Sequence, residues 1–189
     1  TSIRSFSEIL RDTSGLQDSD KKKYASIIHT EAIRLTRLLD DLLDLSVLEN
    51  GQVSLNLQSG DLDQVLDQAL TTSLTGSHRP IKVLRDRQSE AIALHTDLDR
   101  LAQDYINLTT NAQQYCVSDD PTLRIRVSTQ GGRQVVDFID NGQGIAPQAQ
   151  EAIFEKFYRV QGDDGDGAGL GLSICREIMH RLDGDITFQ

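Results

Sequence analysis

The sequence contains no tryptophan, and aromatic residues make up only 5% of its 189 residues. Its core must therefore be built mainly from Leu, Ile and Val. No apolar run approaches the roughly 20 residues that a membrane-spanning helix requires, and residues 1–10 are too polar for a signal peptide. We expect a soluble, cytoplasmic chain, and any membrane anchor would belong to a longer parent protein.

Basic residues are also scarce, because 29 acidic residues outnumber 19 Lys and Arg and leave a net charge of −10. A nucleic-acid-binding protein normally presents a basic face to phosphate, so the composition predicts no nucleic-acid partner. Any nucleotide would have to be bound by local donors. The two cysteines, Cys116 and Cys175, have no CxxC partner and are interpreted as structural residues of a reducing compartment.

The first 50 residues are predicted to form a helical hairpin. Ile3, Phe6 and Leu10 share a helical face within residues 1–11, and a turn follows at residues 12–15. A second helix is expected over about residues 20–49, capped by Asp18 or Ser19 and stopped by Asn50-Gly51. Its seven-residue repeat gives a seam too wide for one partner helix, which predicts a homodimeric four-helix bundle. The seam residues are Tyr24, Ile28, Ala32, Leu35, Leu38, Leu39, Leu42 and Leu45.

Residues 51–189 mix strands and helices and predict an α/β sandwich, with one mixed sheet and helices packed on one face. The whole chain is thus α+β. Asp61 and Asp97 are predicted N-caps of helices over Leu62–Leu74 and residues 98–116. A later helix is expected over residues 169–182. Predicted strands cover residues 53–57, 81–85, 91–94, 123–129, 134–139 and 185–188, with a turn at Gly131-Gly132.

Two of the segments that could carry chemistry contain asparagine or aspartate. Asn107 and Asn111 are one helical turn apart, so their amide oxygens share a face and could bind Mg²⁺ or phosphate. A polar, solvated helix face is the alternative. Asp140-Asn-Gly-Gln-Gly144 directly follows an apolar strand, where a carboxylate could accept a hydrogen bond from a flat ring's amine. An ordinary Asp-Asn-Gly turn explains the same residues.

The other two segments follow closely. Phe154-Glu-Lys-Phe157-Tyr-Arg159 could anchor a loop and offer Lys156 or Arg159 to phosphate, although an amphipathic turn would have the same pattern. Residues 165–171 are rich in glycine and lead straight into a helix, whose N-terminal amides and dipole favour an anion. A flexible linker is the alternative, but a helical apolar face begins immediately afterwards at Leu172 and Ile174.

The order of these four segments resembles the N, G1, F and G2 boxes of the sensor histidine kinases of two-component systems. The resemblance covers nearly the whole chain. Residues 1–50 resemble the dimerisation hairpin just after its histidine box. Residues 51–189 resemble the Bergerat-type (GHKL) catalytic domain without its usual last strand.

The resemblance implies a role for each matching residue, with ATP and Mg²⁺ as cofactors. Asn111 would ligate Mg²⁺ and Asn107 would support the metal and phosphates. Tyr115 would pack on adenine, Asp140 would accept from its amino group, and Gly142 and Gly144 would shape that pocket. The remaining residues lie on the phosphate side: Lys156, Arg159, the hinge glycines Gly167, Gly169 and Gly171, and Leu170, which would close over the nucleotide.

The family transfers the γ-phosphoryl of ATP to a histidine and then to an aspartate of a response-regulator receiver domain. Hydrolytic relatives carry a glutamate where Asn107 stands, and Asn has no basic group to activate water, so we predict phosphotransfer. The acceptor histidine would precede Thr1. His29, His78, His95 and His180 do not fit that role, so the chain as given is not expected to autophosphorylate.

Two departures from the family pattern support an alternative, a non-catalytic dimeric nucleotide-sensing or scaffold module. Gln114 stands where many members have lysine, which removes one charge that would face phosphate. Asp163 and Asp164 would also repel a triphosphate.

Overall fold

The computed structural model describes residues 2–49, 54–75, 79–86, 91–160 and 167–189. Helices and strands are mixed along these ranges after an all-helical start, which agrees with the α+β prediction. The elements are α1 (Ser2–Asp12), α2 (Asp18–Glu49), β1 (Gln58–Asp61), α3 (Leu62–Leu74), β2 (Lys82–Arg85), β3 (Ala93–Thr96), α4 (Leu98–Tyr115), β4 (Thr122–Gln130), β5 (Arg133–Asp140), two 3-10 turns (Pro147–Ala149 and Ala152–Phe154) and α5 (Gly171–Arg181).

The predicted hairpin is formed by α1 and α2, which pack along each other and stack Phe6 on Tyr24 with ring centroids 5.3 Å apart. Helix α2 begins at Asp18 rather than residue 20, because the Gln17 carbonyl already accepts hydrogen bonds from the Asp20 and Lys21 amides. The predicted Asn50-Gly51 stop lies outside the described residues.

Two aspartates fix the starts of α3 and α4, as predicted. Asp61 Oδ1 accepts hydrogen bonds from the amides of Asp63 and Gln64 at 2.8 and 3.2 Å. Asp97 Oδ1 accepts from the Arg100 amide at 3.1 Å, while its Oδ2 accepts from the Asn56 amide at 2.9 Å. These bonds satisfy amides that lack partners within the helix.

The strands form two sheets within the described ranges, so the prediction of one mixed sheet was wrong. In one, β1 pairs with β3 antiparallel. In the other, β4 lies between β2, which is parallel to it, and β5, which is antiparallel. The β4–β5 turn is made by Gly131 and Gly132 with positive φ of 57° and 80°, conformations that glycine adopts without strain.

Two predicted strands were misplaced. Residues 54–57 and 185–189 are not strands, and residue 53 lies outside the described part, as does His78. Strand identity depends on hydrogen bonds to a neighbour, and β3 pairs with Gln58–Asp61 instead of the alternating residues before them.

The main core lies between α3, α4 and one face of β4, with Leu66, Leu101 and Ile125 among its buried residues. A second cluster joins the hairpin to α5 through Leu45, Leu48, Leu170, Ile174 and Ile178. No helix within the described ranges is both long enough and apolar enough to cross a membrane.

Candidate nucleotide-binding site

The C-terminal half of α4 carries the two asparagines of the first predicted segment. Asn107 and Asn111 are both half-buried, one helical turn apart. Asn107 Nδ2 donates to Cys175 Sγ of α5 at 3.7 Å. This contact holds the asparagine face of α4 beside α5. Both cysteines are free and buried, which agrees with their interpretation as structural residues.

The second segment folds against the end of α4. Asp140 ends β5 with an exposed carboxylate, and its Oδ1 accepts from the Gly142 amide at 2.8 Å. A Cβ on Gly142 would lie 2.7 Å from Asp140 Oδ1 and 3.2 Å from Cys116 Cα. Glycine is therefore required for this close approach. Gly144 takes a positive φ of 71°, which completes the turn.

Asn141 holds this loop in place, a role that sequence reasoning missed although the residue stands inside the motif. Its Oδ1 accepts from the Thr122 amide at 2.8 Å and from Cys116 Sγ at 3.1 Å. Its Nδ2 donates to the Asp120 carbonyl at 3.0 Å and to Ser118 Oγ at 3.2 Å. The side chain thereby links the loop to the connection between α4 and β4.

A backbone hydrogen bond joins the third segment, Phe154–Arg159, to the glycine-rich fourth segment. The Phe157 amide donates to the Gly169 carbonyl at 2.9 Å. Gly169 has a φ of 73°, and a Cβ there would lie 2.7 Å from the Tyr158 carbonyl oxygen. This conformation is not helical, so α5 begins at Gly171, two residues later than predicted. Phe154 is buried, with the Arg176 guanidinium 4.9 Å from its ring centroid.

Gly167 lies beside the last turn of α4. A Cβ on it would be 3.4 Å from Tyr115 Oη and 4.0 Å from Gln114 Nε2. Gln114 Nε2 is buried and has no hydrogen-bond partner among the described residues. The backbone carbonyl of Gln114 accepts a hydrogen bond from Arg79 Nη1 at 2.7 Å. The glycine-rich segment therefore approaches the same end of α4 as the Asp140 loop. Asp163, Asp164 and Gly165 lie outside the described residues.

Three residues that were predicted to lie on the phosphate side of the nucleotide differ from one another in burial and in their neighbours. Leu170 is 1% exposed and packs with Leu45 and Leu48 of the hairpin, instead of standing free to close over a nucleotide. Lys156 is exposed and lines a cleft between α2 and α5. Arg159 is half-buried directly after the aromatic segment.

The described residues contain no group of three or more His, Cys, Asp or Glu side chains that could hold a metal ion. A divalent cation on this face would depend on amide oxygens such as those of Asn107 and Asn111, together with oxygens of a bound phosphate. Mg²⁺ accepts such a mixed, oxygen-only shell.

These contacts bring a two-asparagine helix, an Asp-Asn-Gly loop and a glycine-rich helix start together along the C-terminal half of α4 in an α/β domain. Residues 96–189 match the family model of the histidine kinase-, DNA gyrase B- and HSP90-like ATPases. Residues 1–51 match that of the His Kinase A (phospho-acceptor) domain. The chain belongs to the sensor histidine kinases, and the predicted family and fold class are confirmed.

Relatives and solved structures agree with this assignment. The chain is 28% identical over 190 residues to the sensor protein kinase WalK of Staphylococcus aureus, covering 98% of this chain and 46% of that protein. WalK of strain JH9 is matched over 31% of its length, so the chain spans less than half of these relatives. The Acinetobacter baumannii histidine kinase AdeS shares the fold with a TM-score of 0.72 at 23% identity, over 99% of this chain and 86% of that one. The structure of full-length ShkA in complex with AMPPNP has a TM-score of 0.72 at 24% identity, and the match covers 100% of this chain and 40% of ShkA.

Proposed function

We propose that this chain is the ATP-binding catalytic core of a two-component sensor histidine kinase. It would transfer the γ-phosphoryl of ATP to a histidine outside the four in this sequence, for relay to a response-regulator aspartate. The observation that carries the proposal is that three segments contact the C-terminal half of α4 and the residue after it: Gly142 lies against Cys116, Gly167 beside Tyr115, and Cys175 against Asn107.

The adenine end of the proposed site is the Asp140 loop. Asp140 keeps one carboxylate oxygen on the Gly142 amide, and the exposed carboxylate can accept from an adenine amino group. Because Gly142 and Gly144 have no side chains, the backbone can lie close to that carboxylate. Tyr115 is 38% exposed at the end of α4, which leaves ring surface for a flat base.

The phosphate end lies along the asparagine face. Asn111 would ligate Mg²⁺ and Asn107 would orient the phosphates, while the buried Gln114 side-chain amide offers a donor that no residue in the described ranges uses. When bound, ATP would supply the phosphoryl group and Mg²⁺ would neutralise part of the phosphate charge, which together with positioning is the main requirement of such a transfer. Backbone amides at Gly167, Gly169 and Gly171 precede or begin α5, where the helix dipole favours an anion.

Two cationic side chains complete the proposal. Arg159 and Lys156 follow the buried Phe154 anchor and would contact phosphate. In the structure, Lys156 lines the cleft between α2 and α5, so its role requires its own segment, Phe154–Arg159, to rearrange.

The partners proposed are a second copy of the chain, through the hairpin, and a response-regulator receiver domain. The reaction belongs in the cytoplasm, where ATP is available and free thiols such as Cys116 and Cys175 persist. Any membrane association would come from a parent sensor region.

The test is calorimetric titration of ATP with and without Mg²⁺ on the wild-type chain, Asp140→Asn and Asp137→Asn. An Asn at position 140 keeps an oxygen for the Gly142 amide but replaces the second acceptor with an N–H₂ donor. We expect Mg²⁺-dependent binding that Asp140→Asn weakens by at least about tenfold. Asp137→Asn, on the same strand, should leave affinity unchanged.

Unchanged ATP affinity in Asp140→Asn would contradict the adenine assignment. To test transfer, a separate hairpin carrying the acceptor histidine is added with radiolabelled ATP, and label should appear on that hairpin. Steady ATP hydrolysis that depends on Asn107 would instead indicate a hydrolase, because it would give this asparagine a role in activating water.

A further inference from the structure

Asp104 is a carboxylic acid enclosed between two helices. It lies on α4, is 2% exposed, and neither of its carboxyl oxygens has a hydrogen-bond partner among the described residues. On the α5 side, Cys175 Sγ donates to the Asp104 backbone carbonyl at 3.9 Å. Buried polar groups in native proteins nearly always find a partner, so an unpartnered buried carboxyl needs an explanation.

Few groups can neutralise a charge on Asp104. Arg100, one turn earlier on α4, attracts it but also lies 3.7 Å from Asp44 of α2. Tyr105 and the Cys175 thiol are buried beside it, and both have a raised pKa because of burial and the Asp104 charge. Burial raises the pKa of Asp104 to about 8, against the opposing effects of the Cys175 thiol and Arg100.

Charged side chains on the neighbouring elements have other partners. On α3, Asp63 and Asp67 both pair with Arg85. On α5, Glu177 pairs with Arg181, His180 lies 3.8 Å from Asp185, and Arg176 covers Phe154. From β5, Phe138 contacts Tyr105 through its ring. Because these neighbouring side chains are engaged elsewhere, they do not neutralise a charged Asp104. Asp104 therefore stays uncharged by keeping its proton.

We propose that Asp104 is a positioning residue of the nucleotide site, which keeps α4 packed on α5 only while its carboxyl carries a proton. Asn107 lies one turn after Asp104 and donates to Cys175, and Gly171 lies one turn before Cys175. A charged Asp104 would draw in water and separate the helices at this contact, which displaces both the asparagine face and the start of α5. This inference rests on the proposed ATP site.

The direction of the pH effect follows from linkage. An aspartate in the unfolded chain releases its proton near pH 3.9, whereas Asp104 in the folded chain holds its proton to about pH 8. The folded chain therefore binds more protons between these values, so its stability is highest below about pH 4 as far as this group is concerned. That contribution to stability is lost as the pH rises to about 8. Above this pH, Asp104 in the folded chain releases its proton to solvent, which disfavours the packing of α4 on α5.

The experiment measures Mg-ATP affinity from about pH 7 to about pH 9.5 for the wild-type chain, Asp104→Asn and Asp99→Asn. Loss of one proton allows the wild-type affinity to fall by up to about tenfold per pH unit above the folded pKa. Asp104→Asn should give a flat profile, because an amide of the same shape does not titrate. Asp99→Asn removes an exposed charge from the same helix and should follow the wild type. Superimposable profiles of the wild type and Asp104→Asn would overturn the inference.

A second readout needs no nucleotide and separates this inference from the proposed function. The denaturation midpoint of the wild type should fall between about pH 5 and about pH 8 relative to Asp104→Asn and Asp104→Val. If ATP does not bind at neutral pH, the proposed function fails, and this midpoint difference alone then decides whether Asp104 holds a buried proton. Parallel midpoints in all three proteins would overturn the inference.

Discussion

Gln114 is the residue at which the proposed nucleotide site departs from the pattern of many family members, which have lysine there. Its side-chain amide is buried next to Gly167 and has no hydrogen-bond partner among the described residues. A neutral donor can bind a phosphate oxygen, but a charged donor would bind it more strongly. Gln114 is thus compatible with ATP binding, and it does not favour the alternative of a non-catalytic scaffold module.

We predict that Gln114→Lys tightens Mg-ATP binding by about 1 kcal/mol, roughly fivefold, because a cation then faces the phosphates. The gain should shrink at high salt, which screens such an attraction. Titration calorimetry at two salt concentrations checks it. Thr110→Lys adds the same charge at an exposed position of α4 and is the control. An equal gain in both variants would mean that only net charge matters.

Some residues at this scale were not predictable from the sequence because their environment comes from another element. Leu170 stands in a glycine-rich stretch and gives no sign that two hairpin leucines will bury it. Asp104 reads as a polar position on a helix until α5 covers it. Asp140, Gly142 and Gly169 stand out in the sequence because their structural constraints are local: an exposed strand end, a close approach and a positive φ.

Among the elements, α3 and α4 were predicted best because each start is fixed by its own aspartate cap, Asp61 or Asp97. The β4–β5 hairpin was equally local, since Gly131 and Gly132 determine its turn. β1 was misplaced because its position depends on β3, more than 30 residues later in the chain. Local signals therefore gave the helices and the hairpin, and long-range pairing decided the rest.

Helix α2 has an apolar stripe that the described residues of the chain leave exposed. Leu35, Leu39, Leu43 and Val47 follow one another at four-residue spacing and are 51%, 52%, 64% and 42% exposed. Leu38 and Leu42 on the same helix are half-buried. A stripe of this kind supports the proposed dimer, because a second copy would bury it.

We predict that the double substitution Leu39→Glu and Leu43→Glu converts the dimer to a monomer, because two carboxylates would be buried in each half of the interface. Light scattering should show a mass falling from twice 21.0 kDa to 21.0 kDa. Ser26→Glu, at an exposed position of the same helix outside this stripe, should leave the proposed dimer intact. A monomeric wild type would exclude the proposed bundle.

At the scale of the whole molecule, the hairpin and the catalytic region share one hydrophobic cluster. Leu45 and Leu48 of α2 pack against Ile174 and Ile178 of α5. Polar contacts surround the cluster: Arg181 Nη2 donates to the Leu48 carbonyl, and Gln103 Nε2 donates to Asp44 Oδ2 at 2.9 Å. The two regions should therefore unfold cooperatively.

We predict that Leu48→Ala lowers the free energy of unfolding by about 2–5 kcal/mol, since it leaves a cavity where a 1% exposed side chain was packed. Leu57→Ala makes the same chemical change at a 52% exposed position and should cost no more than about 0.5 kcal/mol. Denaturant unfolding at a fixed protein concentration compares them, because a dimer's apparent stability depends on concentration. Equal midpoints would show that the hairpin is not docked on α5.

Phe157 gives this chain a built-in place for an optical label. Its ring is 58% exposed, and its amide is bonded to Gly169 beside the start of α5. Because the sequence contains no tryptophan, Phe157→Trp would create a single indole fluorophore. Its emission would come from this one position, so the movement of the aromatic segment could be followed in real time without a dye.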